Sequence, residues 1–81
     1  MPTLRLFAQA RVSAGIGSDV VDGATVDDVI DAAVRRYGPD FEAVLATCRV
    51  WLNGDEVPGD TPVGESDEVA VIPPVSGGGV E

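Results

Sequence analysis

The stretch Glu68-Val69-Ala70-Val71-Ile72-Pro73-Pro74 decides the fold of this chain. Its first five residues are almost continuously apolar after Glu68, which is typical of a strand in the middle of a sheet. Prolines have no N–H to donate to a neighbouring strand, so strand pairing must end at or before Pro73. The stretch therefore predicts a central strand that runs directly into a C-terminal tail.

The start of the chain predicts a second strand. Residues 3–8, Thr-Leu-Arg-Leu-Phe-Ala, repeat apolar side chains at every second position, as a strand with one buried face does. The small residues within 10–17 predict a turn or loop, after which residues 18–22 can return as an antiparallel strand. The apolar positions expected to be buried are Leu4, Leu6 and Ala8.

The dipeptide Asn53-Gly54 predicts a hairpin in the second half of the chain. Asn and Gly supply the two positive φ angles of a type I′ turn, and the flanking segments 49–52 and 55–57 have strand character. The hairpin adds two more strands to the predicted sheet.

One long helix is predicted between the two strand pairs. Thr25 offers an N-cap hydroxyl and Gly38-Pro39 ends the pattern. Acidic residues occupy the first turns and Arg35 and Arg36 the last, which suits the helix dipole. A second, short helical segment follows over residues 40–47. The apolar face of the long helix consists of Val26, Val29, Ile30, Ala33, Val34 and Tyr37.

This order of elements predicts an α+β fold. Placing the first and last strands parallel at the centre, with the main helix across one face, yields the β-grasp (ubiquitin-like) arrangement with a mixed sheet of roughly four or five strands. We expect a domain over residues 1–72 and a flexible tail over residues 73–81.

Composition excludes several classes of function. The chain has 81 residues, five Arg and no Lys or His, fourteen acidic residues, one Cys and a net charge of -9. Without His there is no catalytic triad or imidazole metal site, and without Lys there is no Schiff base. Phosphates repel so acidic a chain, so we expect no nucleic-acid partner and instead a protein with a basic surface. We expect a bound cofactor and a bound metal to be absent.

The same sequence predicts where the protein resides. We see no signal peptide and no apolar run long enough to cross a membrane, so we expect a cytoplasmic protein without a membrane partner. Cys48 is expected to be a buried structural thiol, because Arg49 is the only basic residue near it in sequence.

The C-terminal segment contains consecutive glycines, which have no side chains and can therefore pass through a narrow channel. The six residues 73–78 can span at most about 20 Å when extended, which is enough to enter a partner's active site. By composition alone, a Gly-rich and Ser-rich tail is more often an unstructured end.

Three segments resemble the MoaD/ThiS family of ubiquitin-like sulfur carriers. They are Leu4-Arg5-Leu6-Phe7-Ala8 with Arg11, Leu52-Asn53-Gly54, and Asp67 to Gly78 with its Pro-Pro-Val-Ser-Gly-Gly ending. The resemblance covers nearly the whole chain. It is greatest to the small subunit of molybdopterin synthase, because thiamine-pathway carriers usually lack the proline pair.

The resemblance implies a carrier that has no catalytic residues of its own. A ubiquitin-activating-type enzyme would use ATP and Mg²⁺ to adenylate the carboxylate of Gly78, and a sulfur donor would then convert it to a thiocarboxylate. In molybdopterin synthase the tail enters the large subunit and delivers that sulfur. The residues implied to thread the partner's active site are Pro73, Pro74, Val75, Ser76 and Gly77.

This sequence departs from the family at its end, where Gly79-Val80-Glu81 follow the Gly-Gly pair. An internal peptide carbonyl cannot be adenylated as a carboxylate. Similarity to extended carriers suggests removal of residues 79–81 by a JAMM-type metalloprotease. We predict cleavage after Gly78, with cleavage after Gly79 as the alternative.

Other functions remain open from the sequence. The sulfur could serve cysteine, thiamine or secondary-metabolite synthesis, or Gly78 could be joined to lysines of target proteins as a ubiquitin-like modifier. A β-grasp interaction module without tail chemistry is the plainest alternative. Phe7 and Trp51 are candidates for the partner interface, although Trp51 on a hairpin strand could equally cap the core.

Overall fold

A computed structural model describes residues 1–73, which form one five-stranded sheet and three helices. The strands are β1 (Thr3–Leu6), β2 (Ser18–Val20), β3 (Arg49–Leu52), β4 (Asp55–Glu56) and β5 (Glu68–Ile72). The helices are α1 (Ala8–Ala14), α2 (Val26–Tyr37) and α3 (Pro39–Leu45).

The sheet has the order β2-β1-β5-β3-β4, so β5 lies at its centre. β5 runs parallel to β1 and antiparallel to β3, and β1–β2 and β3–β4 are antiparallel pairs. This is the β-grasp arrangement, and both the mixed sheet and the central parallel pair confirm the prediction. Within residues 1–73, no helix is long and apolar enough to span a membrane.

Helix α2 begins and ends where the sequence indicates. The Thr25 hydroxyl accepts the N–H of Asp28 at 3.2 Å, and Gly38 follows the last residue with a φ of 97°. The carbonyls of Thr61 and Gly59 accept the N–H groups of Val26 and Asp27 at 3.0 and 2.8 Å. The loop before β5 is therefore held against the first turn of α2, which satisfies donors that a helix start leaves unpaired.

The core lies between the helices and one face of the sheet. Phe41 of α3 is its largest fully buried side chain. The ring of Tyr37 packs against Phe41 edge to face, with 5.2 Å between the ring centroids. The remaining buried apolar residues are Leu4, Leu6, Ala10, Val21, Val26, Val29, Ala33, Val69 and Val71.

The prediction of a turn or loop over residues 10–17 was wrong, because residues 8–14 form helix α1. The first strand also ends at Leu6 rather than at Ala8, which is exposed and has a φ of 51°. Burial explains the helix: Ala10 is completely buried, and α1 packs against α3 and β5. Its C-cap Gly15, at a φ of 79°, ends it by donating to the carbonyl of Arg11.

The hairpin prediction was confirmed. Asn53 and Gly54 have φ angles of 52° and 89°, the left-handed conformations that a type I′ turn requires. The second hairpin strand is short, since β4 contains only Asp55 and Glu56.

Candidate functional site

The C-terminal end of β5 places the base of the tail at the centre of the sheet. Val71 pairs with Leu6 on one side and with Val50 on the other, and Ile72 pairs with Arg49. β5 ends at Ile72, and the half-buried Pro73 follows it. The expectation that strand pairing stops at or before this proline was therefore correct. The other tail residues named above, Pro74, Val75, Ser76, Gly77, Gly78 and Gly79, lie outside the described residues.

The strand register shows which side chains share the outer face, the sheet surface opposite the helices. Val69 and Val71 of β5 are buried against the helices, so Ala70 points the other way. Ala70 is paired with Arg5 of β1 and with Trp51 of β3. Extending the register, the outer face comprises Thr3, Arg5, Ser18, Val20, Arg49, Trp51, Glu56, Glu68, Ala70 and Ile72.

Both predicted interface aromatics belong to this region. Trp51 is half-buried on the outer face. Phe7 follows β1, is 41% exposed, and has the Arg5 guanidinium 5.8 Å from its ring centre. The Phe7 N–H donates to the carbonyl of Val71 at 3.2 Å, which fixes Phe7 beside the end of β5. The structure thus brings both aromatics near the base of the tail, and their contact with a partner stays a prediction.

The indole nitrogen of Trp51 is an unusual feature of the outer face. It is buried and has no hydrogen-bond partner among residues 1–73. A buried donor without an acceptor costs about 1–3 kcal/mol.

Two exposed ion pairs border the aromatic part of the face. Arg5 contacts Glu68 at 3.1 Å and Arg49 contacts Glu56 at 2.9 Å. Exposed ion pairs of this kind contribute little to stability. Their side chains can therefore pair with charged groups of another protein at little cost in free energy.

A polar cluster supports the start of β5 from the hairpin turn. The Asn53 side chain donates to Asp67 at 3.1 Å and accepts the Glu68 N–H at 2.9 Å. Asp67 also accepts the N–H of Gly64 at 2.8 Å. The Gly64 N–H and then the Asn53 amide lower the pKa of the Asp67 carboxyl. The sequence indicated the Asn53-Gly54 turn, but it did not indicate that the Asn53 side chain holds β5.

Cys48 lies on the opposite side of the sheet from this face. It is half-buried, its thiol donates to the carbonyl of Val44 at 3.2 Å, and burial raises its pKa. It lines a cleft of about 530 Å³ between α2, α3 and the hairpin. Cys48 is thus half-buried and not fully buried as expected, and its structural role stays a prediction. Among the residues described, no three His, Cys, Asp or Glu side chains form a group that could hold a metal ion.

A mixed five-stranded β-grasp sheet with β5 at its centre defines the class of this chain as the small ubiquitin-like proteins. The profile of the ThiS family matches residues 4–78, and the chain belongs to this family.

Relatives and solved structures agree with this assignment. A molybdopterin synthase sulfur carrier subunit of Chlamydomonas reinhardtii is 36% identical over 89% of this chain and 92% of its own length. The subunit of the same name from Arabidopsis thaliana is 33% identical over 90% of this chain and 78% of its own length. The crystal structure of SAMP1 from Haloferax volcanii has a TM-score of 0.84 and 31% identity, covering 94% of this chain and 97% of that chain.

Proposed function

We propose that this chain is a sulfur carrier that donates sulfur in molybdopterin synthesis from a thiocarboxylate on Gly78. The observation that carries this proposal is the family match, which runs from residue 4 to Gly78. The two plant and algal relatives named as molybdopterin synthase sulfur carrier subunits, at 33% and 36% identity, point to the molybdopterin pathway.

The fold supports this role by fixing Pro73, from which the tail starts, beside the centre of the sheet. Hydrogen bonding on both sides of β5 leaves its end little freedom, and the prolines that follow cannot extend the sheet. From Pro73 the remaining residues to Gly78 can reach a partner's interior over a distance on the order of 15–20 Å. The carrier therefore supplies position and reach, and the partner enzymes supply the acid–base chemistry.

The proposed chemistry begins with a free carboxylate. Hydrolysis of the Gly78–Gly79 peptide bond by a JAMM-type metalloprotease releases Gly79-Val80-Glu81. An oxygen of the Gly78 carboxylate then attacks the α-phosphorus of ATP on a ubiquitin-activating-type enzyme with Mg²⁺, and pyrophosphate leaves. Sulfide, as HS⁻, attacks the acyl carbon, AMP leaves with that oxygen, and loss of the sulfur-bound proton gives the thiocarboxylate. Transfer to the pathway intermediate takes place on the large subunit of molybdopterin synthase.

Intact mass spectrometry tests the proposal. Chains comprising residues 1–77, 1–78 and 1–81 are incubated with the adenylating enzyme, ATP, Mg²⁺ and a sulfur source. We expect only the 1–78 chain to gain the mass of one oxygen-to-sulfur exchange, and the 1–81 chain to do so only after proteolysis. A 1–78 chain that remains unmodified would contradict the proposal, and modification of the intact 1–81 chain would contradict the cleavage step.

Protein modification is a second candidate function. It is favoured by the 31% identity to SAMP1, a name that stands for small archaeal modifier protein 1. The chain has no Lys, so it could be joined to lysines of other proteins but not to copies of itself through a lysine. Gly-Gly remnants on lysines of other proteins, present in the native host and lost on deletion of this gene, would establish this role.

Carriers for cysteine, thiamine or a secondary metabolite would also form the thiocarboxylate. The enzyme that accepts the sulfur separates these pathways. We expect the thiocarboxylated 1–78 chain to be consumed by a molybdopterin synthase large subunit in the presence of the pathway intermediate. Consumption only by a different sulfur-accepting enzyme would reassign the pathway while leaving the carrier function intact.

A further inference from the structure

A surface depression of about 360 Å³ lies where β1 passes into α1. Two guanidinium-bearing side chains, Arg5 and Arg11, line it together with Phe7 and Gly17. Its volume is within the range of small binding sites in proteins.

The backbone of this depression is built with a strained residue. Ala8 lies on its wall and has a φ of 51°, a conformation that costs a non-glycine residue about 1–2 kcal/mol. This conformation turns the chain from β1 into α1 within two residues, which places Arg5 and Arg11 around one concavity. Strained backbone of this kind is concentrated at functional positions.

Gly17 makes room for the Arg11 side chain. A Cβ at Gly17 would lie 3.2 Å from Arg11 Nε and 3.3 Å from its Cδ, closer than ordinary contacts. Arg11 is exposed, and the part of its side chain from Cδ to Nε lies against the Gly17 backbone.

The depression carries positive charge in a strongly acidic protein. The chain has a net charge of -9, and Arg36 and Arg49 each contact a carboxylate. Arg5 contacts Glu68 in an exposed pair. Neither Arg11 nor Arg35 forms an ion pair within residues 1–73, and of these two only Arg11 lines the depression. The charge of Arg11 is thus available to a carboxylate from outside.

The depression adjoins the base of the tail. Phe7, on its wall, donates its N–H to Val71, which stands two residues before Pro73. Two residues of strand span about 7 Å. A group held between Arg5 and Arg11 would therefore lie beside the start of the tail.

We propose that this depression receives an acidic side chain of the adenylating enzyme, which pairs with Arg11 and Arg5 and orients the tail toward the nucleotide. The inference rests on the proposed function, because every pathway considered for this carrier requires adenylation first. The net charge of the carrier led us to expect a partner with a basic surface. This inference adds that the surface carries one carboxylate, at the place where the tail enters the partner. The carrier's excess of acidic side chains would repel that carboxylate over most of its surface, which favours this orientation.

The test measures adenylation of the 1–78 chain by ATP–pyrophosphate exchange. Arg11→Glu should raise the KM for the carrier about tenfold or more and change kcat by less than about twofold. Arg11→Lys keeps the positive charge, so its KM should be close to that of the unaltered chain. Arg35→Glu is the matched control, since Arg35 is exposed on α2 and its reversal changes the net charge equally; its KM should stay within about twofold.

Circular dichroism and thermal unfolding of each variant establish that it is folded. Replacing the partner's carboxylate by Arg should restore the KM of Arg11→Glu. Equal KM values for Arg11→Glu and Arg35→Glu, with the unaltered chain adenylated normally, would overturn this inference alone. Absence of adenylation of the unaltered 1–78 chain would overturn the proposed function and this inference with it.

Discussion

The hydroxyl of Tyr37 donates to Asp19 Oδ2 at 2.6 Å and ties the end of α2 to the edge strand β2. Arg36 donates to the same oxygen at 2.8 Å and to the carbonyl of Val20 at 3.0 Å. The Tyr37 hydroxyl and then the Arg36 guanidinium lower the pKa of Asp19. These bonds occupy polar groups of an edge strand, which makes pairing with the sheet of another molecule less favourable.

The first prediction concerns the titration of Tyr37. Burial, and then its hydrogen bond to Asp19, raise the pKa of Tyr37 from 10.0 to about 12. A pKa raised by folding contributes stability that is complete below the unfolded value and is lost as the pH rises through the folded value. Because the chain contains one tyrosine, tyrosinate absorbance reports this group alone. We expect its midpoint near pH 12 in the folded chain and near the ordinary value in denaturant.

The variant Tyr37→Phe is the control for this titration. It retains the ring that meets Phe41 and removes the hydroxyl. We expect it to lose about 1 kcal/mol of unfolding free energy at neutral pH and to lack the alkaline decrease assigned to Tyr37. An ordinary tyrosine midpoint in the folded chain would show that the hydroxyl is not held by Asp19.

A second prediction separates the two roles of Asn53. Asn53→Gly keeps the positive φ but removes the side-chain bonds to Asp67 and Glu68, so we expect a loss of about 1–2 kcal/mol. Asn53→Ala removes the same bonds and adds a left-handed alanine, which should cost about 1 kcal/mol more. Urea unfolding measures both. Equal stability of the two variants would show that the turn conformation adds no strain.

A third prediction compares two glycines that differ in the space available for an added Cβ. A Cβ at Gly23 would lie 2.7 Å from both the backbone nitrogen and Cγ2 of Val29, which is completely buried. Gly23→Ala should therefore destabilise the chain by about 1–3 kcal/mol. At Gly64 a Cβ would meet only the Asp67 carboxylate, at an ordinary 3.5 Å, so Gly64→Ala should be nearly neutral. Thermal unfolding compares them, and a larger loss at Gly64 would refute the packing argument.

A fourth prediction tests Phe7 and the outer-face residue Trp51 as parts of the partner interface. Phe7→Ala and Trp51→Ala should each weaken binding to the adenylating enzyme about fivefold or more, because truncated aromatic anchors commonly cost over 1 kcal/mol. Arg35 is the control, since it is exposed on α2, a helix that packs on the other face of the sheet. Arg35→Ala should change the dissociation constant by less than about twofold. Calorimetric titration that found all three variants alike would place the interface elsewhere.

Local signals predicted most elements because their causes are local. The Thr25 cap, the Asn53-Gly54 turn and the proline after Ile72 each depend on one residue's φ angle or hydrogen-bonding groups, and each was confirmed. Helix α1 was missed because its seven residues carry weak local signals, and its stability comes from burying Ala10 against distant elements.

By itself the sequence determined the fold class, the family resemblance and the place where the central strand ends, because apolar alternation and proline chemistry act over a few residues. Only the tertiary structure decided that Trp51 shares the outer face with Ala70, that Phe7 lies beside Arg5 of that face, and that Arg5 and Arg11 line one depression. Those relationships depend on the register of three strands and on the turn at Ala8, which join residues far apart in the chain. Pairing between strands distant in sequence is set by the packing of the whole core, which local patterns do not specify.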